Sequence, residues 1–529
     1  MWLEIYQNTC GKCMVALLLL ILIPGVCQAG NILVLPWEGS HWLNMNILLQ
    51  ALHSRGHNIT VVHSSKSFYI PNNSSHYNTV TVQVERGVDE ELYTNCLSKA
   101  IQFELDTLHL IKFGEMIGCF SEIHKVVGEF VSTLLDDREL MRNIEGSKFD
   151  LVLTDPALGA GVILAKYLNL PLVFNVRWLL VLDGQLALAP SPVSYVPMKG
   201  SGNNDKMTFF QRVKNMILYL INQIFYHFAV KVYQKICDKY LGPENEFKQL
   251  VLNADIWLMR TDFVFDFPRP TVPNVVYMGG FHCSPAKPLP QHLEDFVQSS
   301  GEHGVIIMSL GTLVSELPAD MTNKMAAAFA KLPQKVIWRH KGDRPATLGN
   351  NTLLVDWMPQ NDLLGHPKIK LFVSHGGTNG VQEAIYHGVP VVGLPLYFDQ
   401  NDNLLRLKER GGAKILTLAT VDKHNNFLEA IQEVLTEPSY RLNMQRLSRL
   451  HRDQPMKPLD TALFWIEFVI RHKGAAHLRT ESYRLPWYSY HSVDVILFLI
   501  TSALVILLLF AGILWSCFRL CIKRKLKSD

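Results

Sequence analysis

The sequence predicts an α/β protein in which two Rossmann-like domains face each other across a cleft, followed by one C-terminal transmembrane helix. Residues 31–36, 45–54 and 58–63 read in order as a buried strand, a helix and a second strand, which together make one unit of a Rossmann-like domain. Residues 305–312 open a second unit with an apolar strand that ends in a turn of small residues. Residues 495–518 carry no charge, and these 24 residues are long enough to cross a bilayer. With 529 residues, 48% of them hydrophobic, the chain can bury more than one core.

The two ends of the chain carry targeting patterns. Lys12 precedes an apolar run at 14–23 that is too short to span a bilayer, so residues 1–29 are expected to form a secretory signal peptide. Residues 519–529 hold five basic residues and one acidic residue, and the positive-inside rule then predicts a cytosolic C-terminus and a lumenal remainder. This tail contributes +4 to the formal net charge of +3, which leaves about −1 for the rest. A near-neutral ectodomain argues against nucleic acid and suits a lipophilic substrate.

The strongest site pattern lies between Asp356 and Asn403. A short buried strand at 370–373 runs into the turn SHGGTNG and then into a helical pattern. The unpaired backbone N–H groups at a helix N-terminus attract anions, and glycines such as Gly377 and Gly380 let a diphosphate come close to them. The turn therefore predicts an anion site, with His375 at the strand end in position to hydrogen-bond a phosphate oxygen.

Side chains around this turn match the base and the ribose of a nucleotide. Trp357 and Gln360 form a W-x-P-Q pair that is suited to stacking on a base and to bonding its edge or its sugar. Glu383 lies one helical turn after Asn379 on the same face, where a carboxylate can accept hydrogen bonds from two ribose hydroxyls. These residues predict a nucleotide site.

Two further groups match a sugar and a diphosphate. Asp399 and Gln400 follow a second apolar run and place acceptor and donor groups where sugar hydroxyls would lie. Ser309, Gly311 and Thr312 can present hydroxyl and backbone N–H groups to the diphosphate from the opposite side of the cleft. The sequence contains no D-x-D motif, so a metal-chelated diphosphate is disfavoured and no metal site is expected.

The whole segment resembles the signature of the UDP-glycosyltransferase family. Its wording (WMPQNDLLGHPK, SHGGTNG, GVPVVGLPL, DQNDN) is similar to the animal UDP-glucuronosyltransferase branch, over nearly fifty residues in unbroken order. The resemblance implies the GT-B architecture and the inverting transfer of glucuronic acid from UDP-glucuronate, a co-substrate rather than a cofactor, to a hydroxyl or similar nucleophile of a small lipophilic acceptor. A related enzyme that uses UDP-glucose, UDP-galactose or a UDP-N-acetylhexosamine stays open, as does a catalytically silent paralogue that acts as a binding partner.

His41 is the candidate catalytic base. It follows the first strand, at the carboxyl end of the sheet where such domains bind ligands, and the ordinary pKa of histidine lies near neutrality. A capping or packing role is the alternative, but the sequence GSH at 39–41 matches where the family keeps its base. Asp155 ends another apolar strand and can orient the imidazole as in a catalytic triad, although an aspartate there can also cap a helix. The sequence TDP at 154–156 resembles the acid that partners the histidine in this family.

Arg260 is the candidate for binding a sugar carboxylate or the diphosphate. It ends the strand at 255–261 in an L-x-R-T pattern, and in the branch that this sequence resembles the arginine of that pattern lies in the cleft. A structural salt bridge is the alternative role.

The resemblance also assigns a role to each part of the chain. A proline-rich connector at 284–290 marks the boundary between the domains. The expected parts are the signal peptide (1–29), an N-terminal acceptor-binding Rossmann-like domain (30–283), a C-terminal UDP-sugar-binding Rossmann-like domain (284–450), helices that return to the first domain (451–491), the transmembrane helix (492–518) and the cytosolic basic tail (519–529).

The C-terminal sequence KLKSD resembles a dilysine retrieval signal, and a basic stop-transfer flank is the alternative. With the family resemblance it implies a single-pass type I protein of the endoplasmic reticulum membrane, with lumenal catalytic domains and a cytosolic C-terminus. The expected partners are a UDP-sugar donor, a small lipophilic acceptor and membrane lipid. A homo- or hetero-oligomer with related transferases stays open.

Three features carry open alternatives. Residues 206–240 read as one or two helices that could line an acceptor pocket, lie in the membrane surface or pack in the core. Four lumenal cysteines allow three pairings, and the sequence does not choose among them; they are Cys96, Cys119, Cys237 and Cys283. N-glycosylation motifs begin at four positions, of which the Asn72 cluster is expected to be used first; they are Asn58, Asn72, Asn73 and Asn350.

Overall fold

The computed structural model describes residues 29–105, 109–177, 190–311, 317–421 and 423–528. The signal-peptide prediction, apart from its last residue, and Thr312 lie outside the described residues. The described chain forms two compact units, one that ends at Leu478 and one that begins at Arg479.

The first unit contains two parallel sheets, one for each predicted Rossmann-like domain. The strands of the first sheet are β1 (Asn31–Leu35), β2 (Asn58–Ser64), β3 (Asn78–Val82), β4 (Leu151–Thr154), β5 (Leu172–Val176), β6 (Ile256–Met259) and β7 (Val275–Tyr277). Those of the second are β8 (Val305–Ser309), β9 (Lys335–Arg339), β10 (Thr352–Val355), β11 (Ile369–Ser374), β12 (Val391–Gly393) and β13 (Ala413–Ile415). The strand orders are β3-β2-β1-β4-β5-β6-β7 and β10-β9-β8-β11-β12-β13.

In each sheet the strands are added in one direction and then in the other, and the change occurs at the strand that comes first in the chain, β1 or β8. In the first sheet β1 pairs with β2 on one side and with β4 on the other, and in the second sheet β8 pairs in the same way with β9 and β11. A ligand of an open parallel sheet binds outside the carboxyl ends of the strands at such a reversal. The fold therefore places two binding edges, one after β1 and β4 and the other after β8 and β11.

Helices connect the strands. Around the first sheet they are α1 (Ser40–Ser54), α2 (Glu90–Leu105), α3 (His109–Asp136), α4 (Arg138–Gly146), α5 (Ala160–Tyr167), α6 (Phe209–Tyr240) and α7 (Phe247–Leu252). Those that follow are α8 (Gln291–Gln298), α9 (Ala319–Ala330), α10 (Gln360–Leu364), α11 (Thr378–His387), α12 (Gln400–Glu409), α13 (Leu418–Val421), α14 (Asn426–Thr436), α15 (Pro438–Arg452) and α16 (Pro458–His472), with a short 3₁₀ turn at Ala476–Leu478.

Helix α1 begins five residues earlier than the sequence predicts. Gly39 precedes it with a φ of 64°, a left-handed conformation that glycine adopts without strain, and this turns the chain directly from β1 into the helix. The buried positions Trp42, Met45 and Leu49 then recur at helical spacing. As a result His41 lies in the first turn of the helix rather than on a loop.

The predicted return of the chain to the first sheet is present. Helix α16 buries Ala462, Ile466 and Val469 in the same apolar cluster as Ile32 and Val34 of β1. One disulfide joins α2 to α3 through Cys96 and Cys119, which settles a pairing that the sequence left open, while Cys237 and Cys283 are free thiols. The expected domain boundary at 283/284 stays a prediction.

The second unit contains the predicted transmembrane segment. A short 3₁₀ helix (Glu481–Tyr483) and a short helix α17 (Trp487–Tyr490) come first. Helix α18 then runs from Val493 to Ser528. Its portion Val493–Lys523 is the one helix in the described part of the chain that is long and apolar enough to cross a membrane. The chain thus carries a C-terminal apolar helix that fits a single-pass anchor.

Candidate active site

The carboxyl edges of the two sheets meet around a cleft of about 320 Å³. Its lining includes Ser40, His41 and Arg177 from the first sheet's side and, from the second sheet's side, Ser309, Gly311, Arg339, Trp357, Gln360, His375, Gly377, Asn379, Gly380, Glu383, Asp399 and Gln400. Most of the residues predicted from the sequence are therefore together. Of the predicted donor-site and catalytic residues that the structure describes, Asp155 and Arg260 are the two that do not line this cleft.

His41 and Asp155 form a buried pair. Nδ1 of His41 lies 2.6 Å from the Asp155 carboxylate, and both side chains are almost fully buried. Burial lowers the pKa of His41 to about 4, against the opposing effect of Asp155, so the imidazole is neutral at pH 7. Burial would raise the pKa of Asp155, but His41 and Arg260 outweigh it and the pKa is lowered. The neutral ring therefore donates from Nδ1 to an ionised carboxylate and has its acceptor lone pair on Nε2.

Arg260 lies behind this pair. Its Nη2 is 4.0 Å from the Asp155 carboxylate, and its side chain is buried beside a separate polar cavity of about 70 Å³. This contact matches the salt-bridge alternative, and the role of Arg260 in binding the donor stays a prediction. All three guanidinium nitrogens are buried without a hydrogen-bond partner among the described residues.

His375 is held between two glycines at the start of the anion-binding turn. A Cβ placed on Gly311 would come within 2.7 Å of its Nε2, and one on Gly377 within 2.4 Å, so a side chain at either position would displace the ring. Its Nδ1 lies 3.4 Å from the Ser309 carbonyl oxygen. Burial lowers the pKa of His375 to about 4, so the imidazole is neutral before any anion arrives. The ring stands beside the N-terminus of α11, which is the position predicted for a diphosphate contact.

The predicted ribose and base positions are adjacent. Gln360 donates a 2.6 Å hydrogen bond to the Glu383 carboxylate, and burial raises the pKa of Glu383 to about 7. Trp357 lines the same end of the cleft and is 71% exposed, so its ring face is available for stacking. Hydroxyl donors stabilise the ionised form of a carboxylate whose pKa burial has raised, and a ribose supplies such hydroxyls.

Asp399 and Gln400 are engaged in bonds within the protein. The Asp399 carboxylate accepts from Thr378 and Asn403 at 3.0 Å each, and Gln400 accepts from the backbone N–H groups of Leu396 and Tyr397 through its side-chain oxygen. The Gln400 side chain also hydrogen-bonds the Tyr397 side chain. Burial would raise the pKa of Asp399, but Arg177 and the hydrogen-bond donors hold it well below its usual range.

Arg177 is the main residue that the sequence reading missed. Its Nη1 donates to the Ser40 hydroxyl at 2.7 Å, and its Nη2 lies 3.5 Å from Asp399, on the opposite side of the cleft. Its Nε is buried without a partner among the described residues. Arg177 follows β5 directly, so the rule that ligands bind beyond strand ends would have found it. It places a cation between the catalytic pair and the predicted sugar position.

Metal ligands do not cluster in the described part of the chain. Within it no group of three or more His, Cys, Asp or Glu side chains is placed to hold a metal ion.

Solved structures place this fold in one class. The structure titled as the glycotransferase of kitacinnamycin superposes with a TM-score of 0.56 at 16% identity over 83% of this chain and 99% of that one. A UDP-glucosyltransferase from Polygonum tinctorium gives a TM-score of 0.55 at 16% identity over 84% and 99%. At these identities the likeness concerns the fold alone. Together with the two sheets that face the cleft, it gives the GT-B architecture.

Sequence comparison then gives the family. Residues 30–528 match the family model described as "UDP-glucoronosyl and UDP-glucosyl transferase". UDP-glucuronosyltransferase 2C1 of Oryctolagus cuniculus is 43% identical over 477 residues, which make up 89% of this chain and 94% of the relative. UDP-glucuronosyltransferase 2A2 of Homo sapiens is 42% identical over 504 residues, or 93% of each chain. The chain belongs to the UDP-glucoronosyl and UDP-glucosyl transferase family.

Proposed function

We propose that this transferase moves glucuronic acid from UDP-glucuronate to a hydroxyl, or a similar nucleophile, of a small lipophilic acceptor, with inversion at the anomeric carbon. The observation that carries the proposal is the position of His41 on one wall of a cleft whose other wall is the glycine turn of α11, with Asp155 held 2.6 Å behind the ring. A base and an anion site on opposite walls suit an in-line displacement.

The reaction is a single displacement. The acceptor hydroxyl passes its proton to Nε2 of His41 while its oxygen forms a bond to the anomeric carbon. The bond between that carbon and the diphosphate oxygen breaks, and its electron pair leaves with UDP. Asp155 keeps the proton of His41 on Nδ1 and stabilises the imidazolium that forms.

The charge that develops on UDP is met at the second sheet. Backbone N–H groups at the N-terminus of α11 and the side chains of His375 and Ser309 border the proposed diphosphate position. A diphosphate beside His375 favours the imidazolium, so its arrival opposes the burial that keeps this ring neutral.

Arg177, rather than Arg260, is the proposed ligand of the sugar carboxylate. It lines the cleft at the end formed by His41, Asp399 and Gln400, whereas Arg260 does not reach the cleft wall. An arginine fork matches a carboxylate in shape and charge. Glucuronate is also the sugar that the printed names of the similar relatives carry. UDP-glucose and related donors are the less favoured alternative.

An apolar recess supports a lipophilic acceptor. Trp37, Leu97 and Phe120 line a small cavity of about 40 Å³ that shares Tyr93 and Phe398 with the cleft. An acceptor whose hydroxyl reaches His41 could place its apolar body against these side chains.

The proposed location follows from the ends of the chain. The C-terminal helix and its basic flank support a type I protein of the endoplasmic reticulum membrane with a lumenal catalytic unit, and the N-terminal segment supports a signal peptide. Asn58, Asn72, Asn73 and Asn350 are all exposed, as glycosylation requires. The Asn58 side-chain amide already donates a hydrogen bond to Asn31, so the Asn72 loop is the favoured position for a glycan.

The function is tested by turnover. The full chain, purified in detergent, is assayed with a panel of UDP-sugars against phenols, steroids, bile acids and sphingolipids. We expect transfer to require UDP-glucuronate and to be lost in His41→Ala, while His53→Ala, an exposed histidine of the same helix, retains it. Unchanged turnover in His41→Ala would disprove the mechanism, and preference for a neutral UDP-hexose would disprove the choice of sugar.

A further inference from the structure

Asn44 of α1 is hydrogen-bonded to Asn379, at the start of α11. The side-chain nitrogen of Asn44 donates to the side-chain oxygen of Asn379 at 2.9 Å, although 335 positions separate the two residues in the chain. Asn44 is 1% exposed and lies one helical turn after His41. Asn379 lines the cleft beside the proposed diphosphate position. The helix that carries the proposed base is thus bonded to the helix that borders the leaving group.

A backbone group fixes the direction of this hydrogen bond. The same nitrogen of Asn44 donates to the Ser40 carbonyl oxygen at 2.9 Å. A carbonyl oxygen can only accept, so Asn44 has to turn its NH₂ group, and not its oxygen, toward Ser40. The NH₂ group then faces Asn379 as well, and Asn379 has to accept with its oxygen. Exchange of the oxygen and nitrogen of Asn44 would break both bonds.

The bond determines which end of the Asn379 side chain is left for a ligand. The oxygen accepts from Asn44, whereas the NH₂ group makes no hydrogen bond with the described residues. The main chain of Asn379 is held as well, because its carbonyl oxygen accepts from Nε2 of His282 at 3.2 Å. Burial lowers the pKa of His282 to about 4, so the ring is neutral at pH 7 and carries its proton on this nitrogen. Asn379 therefore presents a hydrogen-bond donor to the cleft.

An anion distinguishes between the two ends of an amide. An NH₂ group donates to a phosphate oxygen, while a carbonyl oxygen in the same place would repel it. A hydrogen bond to a charged group also contributes more than one between neutral groups. The last torsion of an asparagine side chain is nearly two-fold, so an unheld side chain can exchange its two ends. A residue that prevents this exchange keeps the anion site in its binding form.

We propose that Asn44 is a positioning residue of the donor site, which holds the Asn379 oxygen and thereby directs the Asn379 NH₂ group to the diphosphate of the donor. This inference rests on the proposed function and adds to it a residue from the opposite side of the cleft. Asn44 does not line the cleft, so it acts through Asn379 and not on the nucleotide itself. The bond also fixes the diphosphate contact relative to α1, where His41 lies one turn away.

The test measures UDP binding to the full chain in detergent by calorimetric titration, in a double-mutant cycle of Asn44→Ala and Asn379→Ala. Asn46→Ala is the matched control, because the side-chain oxygen of Asn46, in the same helix, bonds His76 instead of α11. Uridine, which lacks the diphosphate, is the control ligand and is measured by competition with UDP. Thermal unfolding shows whether each variant is folded. Asn44→Ser, whose side chain is too short to reach Asn379, replaces Asn44→Ala if that variant does not fold.

We expect Asn44→Ala to weaken UDP binding about three- to tenfold, and Asn379→Ala to weaken it about tenfold or more, because a bond to a charged group is the stronger one. In the Asn379→Ala background, Asn44→Ala should change the dissociation constant of UDP by less than about twofold. Asn46→Ala should bind UDP as the parent does. Uridine binding should change by less than about twofold in every variant.

Additive losses in the cycle would show that Asn44 does not act through Asn379 and would overturn the proposal. Unchanged UDP binding in either single variant, or an equal loss of uridine binding, would overturn it too. In each of these cases the parent still binds UDP and the proposed function stands. A parent chain that did not bind UDP would contradict the proposed donor site, and this inference with it.

Discussion

The Arg177 guanidinium donates a 2.7 Å hydrogen bond to the Ser40 hydroxyl, one residue before the proposed base His41. The same guanidinium lies 3.5 Å from Asp399 across the cleft. Arg177 therefore links the end of β5 and the start of α1 to the second sheet, and its charge lies where the transferred sugar would meet the base. This cation gives the cleft a means to distinguish an acidic sugar from a neutral one.

Replacement of Arg177 should change the choice of donor. In Arg177→Gln, kcat/KM with UDP-glucuronate should fall about 10- to 150-fold, because a hydrogen-bonded ion pair with a carboxylate contributes about 1.5–3 kcal/mol. With UDP-glucose, whose sugar has no carboxylate, the loss should be much smaller. The measurement is the ratio of kcat/KM for the two donors, with one acceptor at a fixed concentration.

Arg339 provides the matched control. It also lines the cleft, and it bonds the Gly311 carbonyl oxygen beside His375, at the proposed diphosphate position. Arg339→Gln should lower kcat/KM for both donors to a similar degree. If Arg177→Gln reduced kcat/KM for both donors equally, the carboxylate role of Arg177 would be wrong. This result would not contradict the transfer reaction itself.

Asp155→Asn should slow the chemical step with little effect on the binding of UDP. An amide can hold His41 in the wrong tautomer and cannot stabilise imidazolium, so kcat should fall by about 10³- to 10⁴-fold, as in related histidine–aspartate pairs. Asp155 does not line the donor cleft, so the dissociation constant of UDP should stay within about twofold. Steady-state turnover and calorimetric titration with UDP separate the two quantities. A large loss of UDP affinity would mean that the variant had disturbed the fold instead.

Much of this architecture can be predicted from the sequence because each strand, turn and helix are close together in the chain. Residues 369–387 form β11, the glycine turn and α11 in consecutive positions, and local pattern alone places His375 and Glu383 in them. His41 and Asp155 were found as strand-end residues, and their contact follows because β1 and β4 are neighbours in the sheet. Local order and sheet topology together carried these predictions.

The remaining features depend on contacts between distant segments. Whether Arg260 points into the cleft or toward Asp155 is decided by how deeply β6 is buried, and a motif does not encode this depth. The position of Arg177 at a strand end is visible in the sequence, but its approach to Asp399, 222 positions away in the chain, is not. The pairing of Cys96 with Cys119 likewise needs the packed helices.

Acid should destabilise the fold through His124. Burial lowers its pKa to about 4, below the ordinary value of 6.5, so the folded state binds fewer protons than the unfolded chain between these values. Stability from this group is complete above about pH 6.5 and is lost as the pH falls toward 4, which amounts to about 2 kcal/mol at pH 5. His124→Gln can keep the bond to the Tyr233 hydroxyl without this protonation. Urea unfolding of the full chain in detergent should then lose less stability between pH 7 and pH 5 than the parent does; an equal loss would contradict the assignment.

UDP binding should depend on pH through Glu383. Burial raises the pKa of this carboxyl to about 7, and ribose hydroxyls donate to its ionised form, so UDP binding has to remove a proton from part of the population. Affinity should therefore rise with pH through 7, by about tenfold between pH 6 and pH 8. UDP itself titrates near this range, so the informative comparison is Glu383→Gln, which keeps the titration of UDP and lacks that of the protein. Calorimetric titration of both proteins in buffers of different ionisation enthalpy counts the protons released. The parent should release up to one proton more than the variant near pH 6.5, and equal release would show that Glu383 does not accept from the ribose in its ionised form.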